Sequence, residues 1–295
     1  MRLDGIHHVT GITADGQRCL DFYAGILGLA FLGRERDFEA PDSHLLRLGR
    51  MHGRPDGVLS FIEAPGIGHG RAGDGMLHTI SWGLRSPAAL EYWTERLSAA
   101  GIEVTQLESG GRARLRFADP EGIQHEFAVD PSANDAGLSS AAIPPQQAIA
   151  GLTGVRAYGR ASIPSADILA GRLGFRVTGR DSYAVEGEGS ASAFSFDPPP
   201  PGRGRTGTGS IHHVAWASDG ALPAWRQRVI GLGCRATPVI DRGHCRSIYF
   251  REPSGVLFEI ASDGLGAGER QAPSTAEGRR LSPKVDPRVR AALVG

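Results

Sequence analysis

The sequence has little that would support recognition by net charge or by thiols. It contains 32 Lys+Arg and 32 Asp+Glu among 295 residues, so no net field draws it to nucleic acid or to an anionic lipid surface. Its three cysteines, Cys19, Cys234 and Cys245, are odd in number and form no C-x-x-C pair, which argues against a disulfide framework and a thiolate zinc site. Any metal must therefore be held by histidine and carboxylate side chains.

Long apolar segments are also missing. Hydrophobic residues are 40% of the chain, yet no uninterrupted apolar run approaches the roughly 20 residues that span a bilayer. The N-terminal MRLDGIHHVT lacks the basic and apolar regions of a secretory signal. These absences predict a soluble, cytoplasmic protein with no membrane or nucleic-acid partner. Glycine is frequent, with 42 residues and no G-X-Y period, which predicts many short strands and turns.

Internal repeats predict the architecture. A strand-like run recurs as GIHHVTG (5–11), MLHTISW (76–82) and SIHHVAW (210–216), and a weaker copy begins near Leu152. Each run is followed by a helix signal and then by further strand-like segments. The sequence therefore predicts four βαβββ modules, at about 3–64, 76–130, 152–197 and 209–263. Helices are predicted between Asp15 and Gly28, Ser86 and Gly101, Pro164 and Gly174, and Pro223 and Gly231.

The modules group into two halves along the chain. Residues 1–130 are predicted to form an N-terminal domain of two modules, and residues 152–264 a C-terminal domain of two more. The Ser/Ala/Pro-rich stretch within 131–151 is typical of a linker. The polar tail, 265–295, ends in DPRVRAALVG, which is a candidate for a short helix over the cleft.

Side-chain alternation favours the second histidine of each HH pair as a site residue. His212 shares a strand face with the bulky Trp216, which marks the helix-covered side, so His213 is predicted to face the open side. The same parity turns His8 and Glu259 toward the open side. Two histidines at equivalent positions of two repeats, together with a glutamate, predict a shared metal site.

The middle modules lack the histidines. Thr79 occupies the second-module counterpart of His213, and Gly154 occupies the third-module counterpart. Glu126 repeats the position of Glu259 but has no outward histidine beside it. It is predicted to pair instead with Arg114 or Arg116.

The first module lacks the carboxylate. An ungapped alignment of the glycines that precede the last strands puts Phe61 opposite Glu259, and Glu63 remains a substitute two residues farther on. The simplest ligand count is therefore two histidines and one carboxylate. Such a set on one face is typical of non-haem Fe(II) oxygenases, because it leaves three positions open for substrate and dioxygen.

These residues resemble the vicinal oxygen chelate superfamily (glyoxalase, bleomycin resistance and dioxygenase proteins), and within it hydroquinone-type ring-cleaving dioxygenases. The resemblance covers nearly the whole chain and is most specific in GIHHVTGIT (5–13) and DRGHCRSIYFREPSGVLFEIASD (241–263). It implies that His8, His213 and Glu259 bind Fe(II), with Mn(II) as the other candidate ion. With the repeats, it predicts an α+β fold in which four βαβββ modules form two paired curved mixed sheets with helices outside.

The resemblance also implies catalytic roles for Tyr249, Arg242, His7 and His212 around the metal. Parity agrees for Tyr249, whose neighbours in the chain belong to the core face. One departure concerns the stretch RERDFEAP (34–41), which differs from the TVNFDDP of the family and bears on substrate identity.

Three functions remain open on the sequence alone. The leading hypothesis is an extradiol-type dioxygenase that cleaves a hydroquinone or catechol, a step of aromatic degradation that incorporates both atoms of O₂. The second is a glyoxalase-like lyase or isomerase, whose sites tend to have four protein ligands. The third is a metal-free drug-binding protein of the bleomycin-resistance kind. All three stay open because one fold can host different functions. A homo-oligomer is also an open option.

Overall fold

The computed structural model describes residues 1–36, 43–49, 57–109, 111–130, 143–159, 163–187, 191–242 and 245–263. Most of the predicted linker, the whole of the predicted tail and the second half of the RERDFEAP stretch lie outside these residues. The division into two domains and a linker stays a prediction. Two eight-stranded mixed sheets form the fold, and this confirms the predicted α+β architecture.

The first and fourth modules together build one sheet, which we call the outer-module sheet. Its strands are β1 (Leu3–Thr13), β2 (Ala30–Arg36), β3 (His44–Gly49), β4 (Val58–Glu63), β13 (Ile211–Ser218), β14 (Ile240–Asp241), β15 (Cys245–Arg251) and β16 (Leu257–Asp263). They lie in the order β14-β15-β16-β13-β1-β4-β3-β2. The central strands β1 and β13 are antiparallel, and each pairs in parallel with the last strand of its own module.

The second and third modules build the inner-module sheet in the same way. Its strands are β5 (Met76–Leu84), β6 (Val104–Ser109), β7 (Arg112–Ala118), β8 (Gln124–Val129), β9 (Gly151–Tyr158), β10 (Arg176–Gly179), β11 (Ser182–Glu186) and β12 (Ala191–Asp197). Their order is β10-β11-β12-β9-β5-β8-β7-β6. Each sheet is thus two modules joined at their first strands, so equivalent positions can be compared between the sheets.

The four predicted helices are present. They are α1 (Gly16–Leu20, continued by a π-helix at Asp21–Ile26), α2 (Pro87–Ala99), α3 (Ile163–Ala166, continued by a π-helix at Asp167–Arg172) and α4 (Leu222–Gly231). The Asp15 side chain accepts a hydrogen bond from the Arg18 amide, so α1 begins at the predicted cap. Gly28 follows with φ of 72°, a conformation that favours glycine and ends the helical segment. Among the described residues, no helix is long and apolar enough to cross a membrane.

One large hydrophobic core cluster contains residues of both sheets. The Phe194 ring of the inner-module sheet lies 6.4 Å from Trp216 of the outer-module sheet. Tyr23, in the helical segment of the first module, packs against Phe61 at 4.6 Å and against His125 at 5.5 Å, and so contacts both sheets. Because these rings occupy the helix-covered faces, the opposite face of each sheet is left for polar side chains.

Candidate metal centre

His8, His213 and Glu259 lie on three adjacent strands of the outer-module sheet. His8 is on β1, His213 is on β13 and Glu259 is on β16. Across β1 and β13, His8 is opposite Ala215, and Ala215 is in turn beside Glu259. This register brings together three side chains that are up to 251 positions apart in the chain, since the residue numbers are 8 and 259.

The distances among these three side chains suit a metal ion. The Nε2 atoms of His8 and His213 are 3.2 Å apart, and they lie 3.1 and 2.9 Å from Oε2 of Glu259. Donors bound at about 2.1 Å and at right angles around one ion would be about 3.0 Å from each other. Within the described part of the chain, this is the group of histidine, cysteine and carboxylate residues whose atoms converge closely enough to hold an ion.

The charge state of the group also fits a metal. Glu259 is 1% exposed, and neither carboxylate oxygen has a hydrogen-bond partner of good geometry among the described residues. Burial alone would raise the pKa of Glu259, but His8 and His213 hold that pKa well below its usual value. Burial lowers the pKa of His213, against the opposing effect of Glu259. An ionised carboxylate beside neutral imidazole is the state that metal binding requires.

The preceding histidine of each HH pair also lines the cleft, because the strands are not regular there. The β1–β13 register shifts between Ile6 and His8, and again between Thr10 and Gly11, so that His7 on β1 and His212 on β13 are bulged residues. Strict alternation predicts His212 on the helix-covered face, and that prediction is wrong. Two bulges, one on each central strand, bring both histidines of each pair to one side.

Each bulged histidine contacts the ring that follows it. Nδ1 of His7 is 2.8 Å from Nδ1 of His8, and Nδ1 of His212 is 2.8 Å from Nδ1 of His213. If Nε2 of His8 and His213 donate lone pairs to an ion, their Nδ1 atoms carry the protons. These protons then point at the bulged histidines, which fix the orientation of both rings.

Tyr249 and Arg242 flank the group on the fourth-module side. The Tyr249 ring lies edge-on to His213, with centroids 5.3 Å apart. Arg242 Nη2 is 3.5 Å from the Tyr249 hydroxyl oxygen, and the guanidinium is 5.7 Å from the ring centroid. Burial and the nearby Glu259 raise the pKa of Tyr249 well above its usual value, although Arg242 opposes them. The phenol therefore remains protonated and can donate a hydrogen bond.

The first module supplies a serine, not a phenylalanine, at the position of Glu259. Ser60 is beside Thr10 in the register of β1 and β4, as Glu259 is beside Ala215 in β13 and β16. Phe61 is fully buried in the core, so its predicted alignment with Glu259 is wrong by one residue. The conclusion that this strand position offers no carboxylate still holds.

Glu63 does not join the group. It lies five positions along β4 from Val58, the residue beside His8 in the register. Its Oε2 accepts hydrogen bonds from Arg34 Nη2 at 2.6 Å and Nε at 2.9 Å. Nδ1 of His44 is 3.7 Å from the same oxygen. His52 and His244 lie outside the described residues. Glu63 therefore does not supply the fourth protein ligand that would favour a glyoxalase-like site.

The sequence reasoning missed the wall that the first module contributes to the cleft. It consists of Glu35, Arg36, Leu45, Arg47, Val58, Ser60 and Ile62 on β2, β3 and β4. Parity along β4 could have found Val58, Ser60 and Ile62, which alternate with the core residues Leu59 and Phe61. Arg47 carries no repeat signal, because the modules differ most in their middle strands.

Comparisons with known proteins agree with this geometry. The model of the Glyoxalase/Bleomycin resistance protein/Dioxygenase superfamily matches residues 5–127. The chain is 32% identical over 283 residues to MhqA of Bacillus subtilis (strain 168), a protein provisionally named a ring-cleaving dioxygenase, covering 90% of this chain and 89% of that protein. It is 27% identical over 291 residues to the chlorohydroquinone/hydroquinone 1,2-dioxygenase of Sphingobium indicum, covering 92% and 89%.

Solved structures show the same relationship. A crystal structure of a provisionally named dioxygenase from Bacillus subtilis subsp. subtilis str. 168 superimposes with a TM-score of 0.82 at 30% identity, covering 90% of this chain and 87% of that one. Glyoxalase I from Zea mays shares the fold, with a TM-score of 0.60 at 14% identity and coverage of 88% and 92%. The chain therefore belongs to the Glyoxalase/Bleomycin resistance protein/Dioxygenase superfamily, and its relatives group it with the ring-cleaving dioxygenases of that superfamily.

Proposed function

We propose that the protein is an Fe(II)-dependent, extradiol-type dioxygenase that cleaves the ring of a hydroquinone or catechol. One observation carries the proposal: His8, His213 and Glu259 converge with mutual distances of 2.9 to 3.2 Å, and no fourth protein ligand joins them among the described residues. A divalent ion held by these three residues would keep coordination positions open for an aromatic diol and O₂. Mn(II), which also favours carboxylate ligands, is the second candidate ion.

A bound Fe(II) would supply electron transfer between the electron-rich ring and O₂. The reaction adds both oxygen atoms to the diol and breaks one ring carbon–carbon bond. The product is therefore the sum of diol and O₂, and no external reductant is consumed. This stoichiometry allows the protein to work with two small substrates and one ion.

The residues around the metal group have separate roles in this proposal. Tyr249, kept protonated by burial, donates a hydrogen bond to negative charge that develops in the cleft. Arg242 orients the phenol from 3.5 Å. His7 and His212 hold the ligand rings through their Nδ1 atoms. Both line the cleft, where the remaining N–H of each ring is positioned to donate a hydrogen bond to a substrate oxygen.

The two other functions are less well supported. A glyoxalase-like site with four ligands needs a carboxylate where the first module has Ser60. A metal-free binding protein would leave the Glu259 carboxylate buried beside two imidazoles without a hydrogen bond of good geometry, an arrangement that costs free energy in the absence of a cation.

The test is oxygen consumption by protein loaded anaerobically with Fe(II), using a panel of hydroquinones and catechols. We expect one O₂ consumed for each diol cleaved, and both atoms of ¹⁸O₂ recovered in the product. Protein loaded with Zn(II), which has no redox chemistry, is the matched control and should consume none. Equimolar iron without oxygen uptake on any diol would contradict the proposal.

A further inference from the structure

A guanidinium faces the cleft from the first-module wall. Arg47 on β3 is opposite Ser60 on β4, and Ser60 is beside Thr10 on β1. All three line the cleft that contains the metal group. They form one row across the sheet, because residues opposite each other on neighbouring strands point to the same face.

The position of Arg47 corresponds to that of Tyr249 on the other side of the cleft. Tyr249 is opposite Glu259, and Glu259 is beside Ala215 on β13, just as Arg47 is opposite Ser60 beside Thr10. Each residue is two strands away from a histidine-bearing strand, about 10 Å at the usual strand spacing. A substrate bound at the metal group therefore lies between a phenol on one flank and a guanidinium on the other.

Apolar side chains flank the row of Arg47, Ser60 and Thr10. Leu45, Val58 and Ile62 share the first-module wall with it. Val58 is 7% exposed and is beside His8 in the register of β1 and β4. This surface suits the face of an aromatic ring, and Arg47 suits a substituent that extends beyond the ring.

The charge of the wall points to an anionic substituent. The Arg47 side chain is 21% exposed, and its contact with Glu35 is 3.6 Å long, to a side chain that is 48% exposed. Such a contact is worth little in water. Arg36 lines the same wall and Arg242 the opposite one. Among the described residues, three guanidinium groups therefore line the cleft with the carboxylate of Glu35, apart from the metal group. A ligand carboxylate would offset the cost of keeping this positive charge in a partly buried cleft.

We infer that Arg47 is a specificity-determining residue that binds a carboxylate carried on the ring of the aromatic diol. The inference rests on the proposed function and narrows its substrate to dihydroxybenzoates. The planar guanidinium forms two parallel hydrogen bonds with a carboxylate, whereas a lysine at the same position would offer charge without that geometry. The carboxylate would fix the position of the ring relative to the metal group.

The experiment compares two ligands of similar size, the anionic 2,5-dihydroxybenzoate and the neutral 2,5-dihydroxybenzamide. We expect the wild-type protein to prefer the acid. Arg47→Gln should lower the acid-to-amide ratio of kcat/KM by about 10- to 100-fold, as expected for loss of a charge-assisted hydrogen-bond pair. Arg47→Lys should keep part of the preference. Arg176→Gln, which removes an exposed arginine of the inner-module sheet, should leave the ratio unchanged.

Anaerobic binding separates this inference from the proposed function. Isothermal titration calorimetry of Fe(II)-loaded protein without O₂ should give tighter binding of the acid, and Arg47→Gln should abolish that difference. The role of Arg47 would be overturned if Arg47→Gln weakened the binding of both ligands equally, or if the wild type bound both with equal affinity. Either result would count even if both diols are cleaved. If Arg47→Gln abolishes a preference for the acid but no diol is cleaved, the role of Arg47 in binding would be supported and the dioxygenase proposal overturned. Circular dichroism of each variant shows whether it is folded.

Discussion

The open faces of the two sheets have the same backbone plan and different side chains. Where the outer-module sheet has two histidines, the inner-module sheet has Thr79 and Gly154 at the matching positions. Yet the carboxylate is kept: Glu126 matches Glu259, and each is 1% exposed. A side chain at Gly154 would place its Cβ 2.7 Å from a backbone carbonyl oxygen, so a histidine does not fit there without movement of the strand.

The inner-module sheet provides its own cation in place of a metal ion. Arg114 forms a short ion pair with Glu126, and Arg116 Nε is 3.1 Å from its Oε2, so both predicted partners are confirmed. Arg116 is opposite Glu126 in the register, as Tyr249 is opposite Glu259. The comparison teaches that a buried glutamate at this position needs positive charge, which arginine supplies on one sheet and, by our proposal, a metal ion supplies on the other.

The largest expected effect comes from removing the carboxylate of the outer-module sheet. Glu259→Gln keeps the shape of the side chain but loses its charge, so we expect bound iron to fall by more than about 100-fold in affinity, beyond the range of outer-sphere residues. Metal analysis by mass spectrometry and oxygen consumption measure the change. A Glu259→Gln variant that retains equimolar iron would contradict the proposed role of the Glu259 carboxylate as a metal ligand.

Tyr249 gives the next largest effect. Tyr249→Phe removes the hydroxyl near Arg242 while leaving the three candidate ligands intact. We expect kcat to fall by about 10- to 100-fold with iron content unchanged, as for loss of one donor to developing charge. Tyr158→Phe, on the inner-module sheet, serves as the control and should retain full activity. Loss of iron in Tyr249→Phe would show that the phenol supports the metal group and not the reaction.

Glu126→Gln should lower stability and leave iron content unchanged, in contrast to Glu259→Gln. It leaves Arg114 and Arg116 without their buried partner, but these side chains are 24% and 42% exposed and can be hydrated. We therefore expect the free energy of unfolding to fall by about 1–2 kcal/mol, less than for a fully buried pair. Urea unfolding measures this loss, and iron content should stay at the wild-type level. A parallel loss of iron would mean that the two open faces are coupled.

The last expected effect is a change in how stability depends on pH. His125 of the inner-module sheet matches Phe258 of the outer-module sheet, and burial lowers its pKa from 6.5 to about 3. The stabilising contribution of neutral His125 is therefore present above about pH 6.5 and is lost as pH falls toward 3. Burial raises the pKa of Asp119 from 3.8 to about 6. The stabilising contribution of protonated Asp119 is therefore present below pH 3.8 and is lost as pH rises through about 6.

The two contributions oppose each other between pH 4 and 6, and single variants separate them. His125→Phe should shift the slope of unfolding free energy against pH by at most about −1.4 kcal/mol per pH unit, the value for one proton. Asp119→Asn should shift it by a similar amount upward. The measurement is urea unfolding at several pH values. Equal slopes in the wild type and both variants would show that neither group titrates differently on folding.

Much of this fold follows from local signals that agree with one another. The helix caps, the stop glycines and the recurring HH strand all predict elements that are present, because hydrophobic periodicity and turn chemistry act over short distances. Convergence of His8, His213 and Glu259 followed from repeat position and parity. The bulges at His7 and His212 did not, because an extra residue in a strand leaves no mark when regular alternation is assumed.

The errors of register share one cause. Phe61 was aligned with Glu259 by counting from the preceding glycines, but the spacing between turn and ladder differs by one residue in the two modules. A shift of one position moves a side chain to the opposite face of a sheet. The sequence does not predict Arg47 as a cleft residue for a related reason. Its place beside Ser60 is set by the pairing of β3 and β4 and not by its neighbours in the chain.

Joining the first and fourth modules in one sheet has a consequence for biosynthesis. The paired imidazoles of His8 and His213 are 205 positions apart, and Glu259 comes from the final strand of the described fold. During translation, the nascent chain holds its first ligand long before the others leave the ribosome. A truncated or stalled product therefore has no complete set of donors, and the proposed ion could be bound only by chains synthesised through their last module.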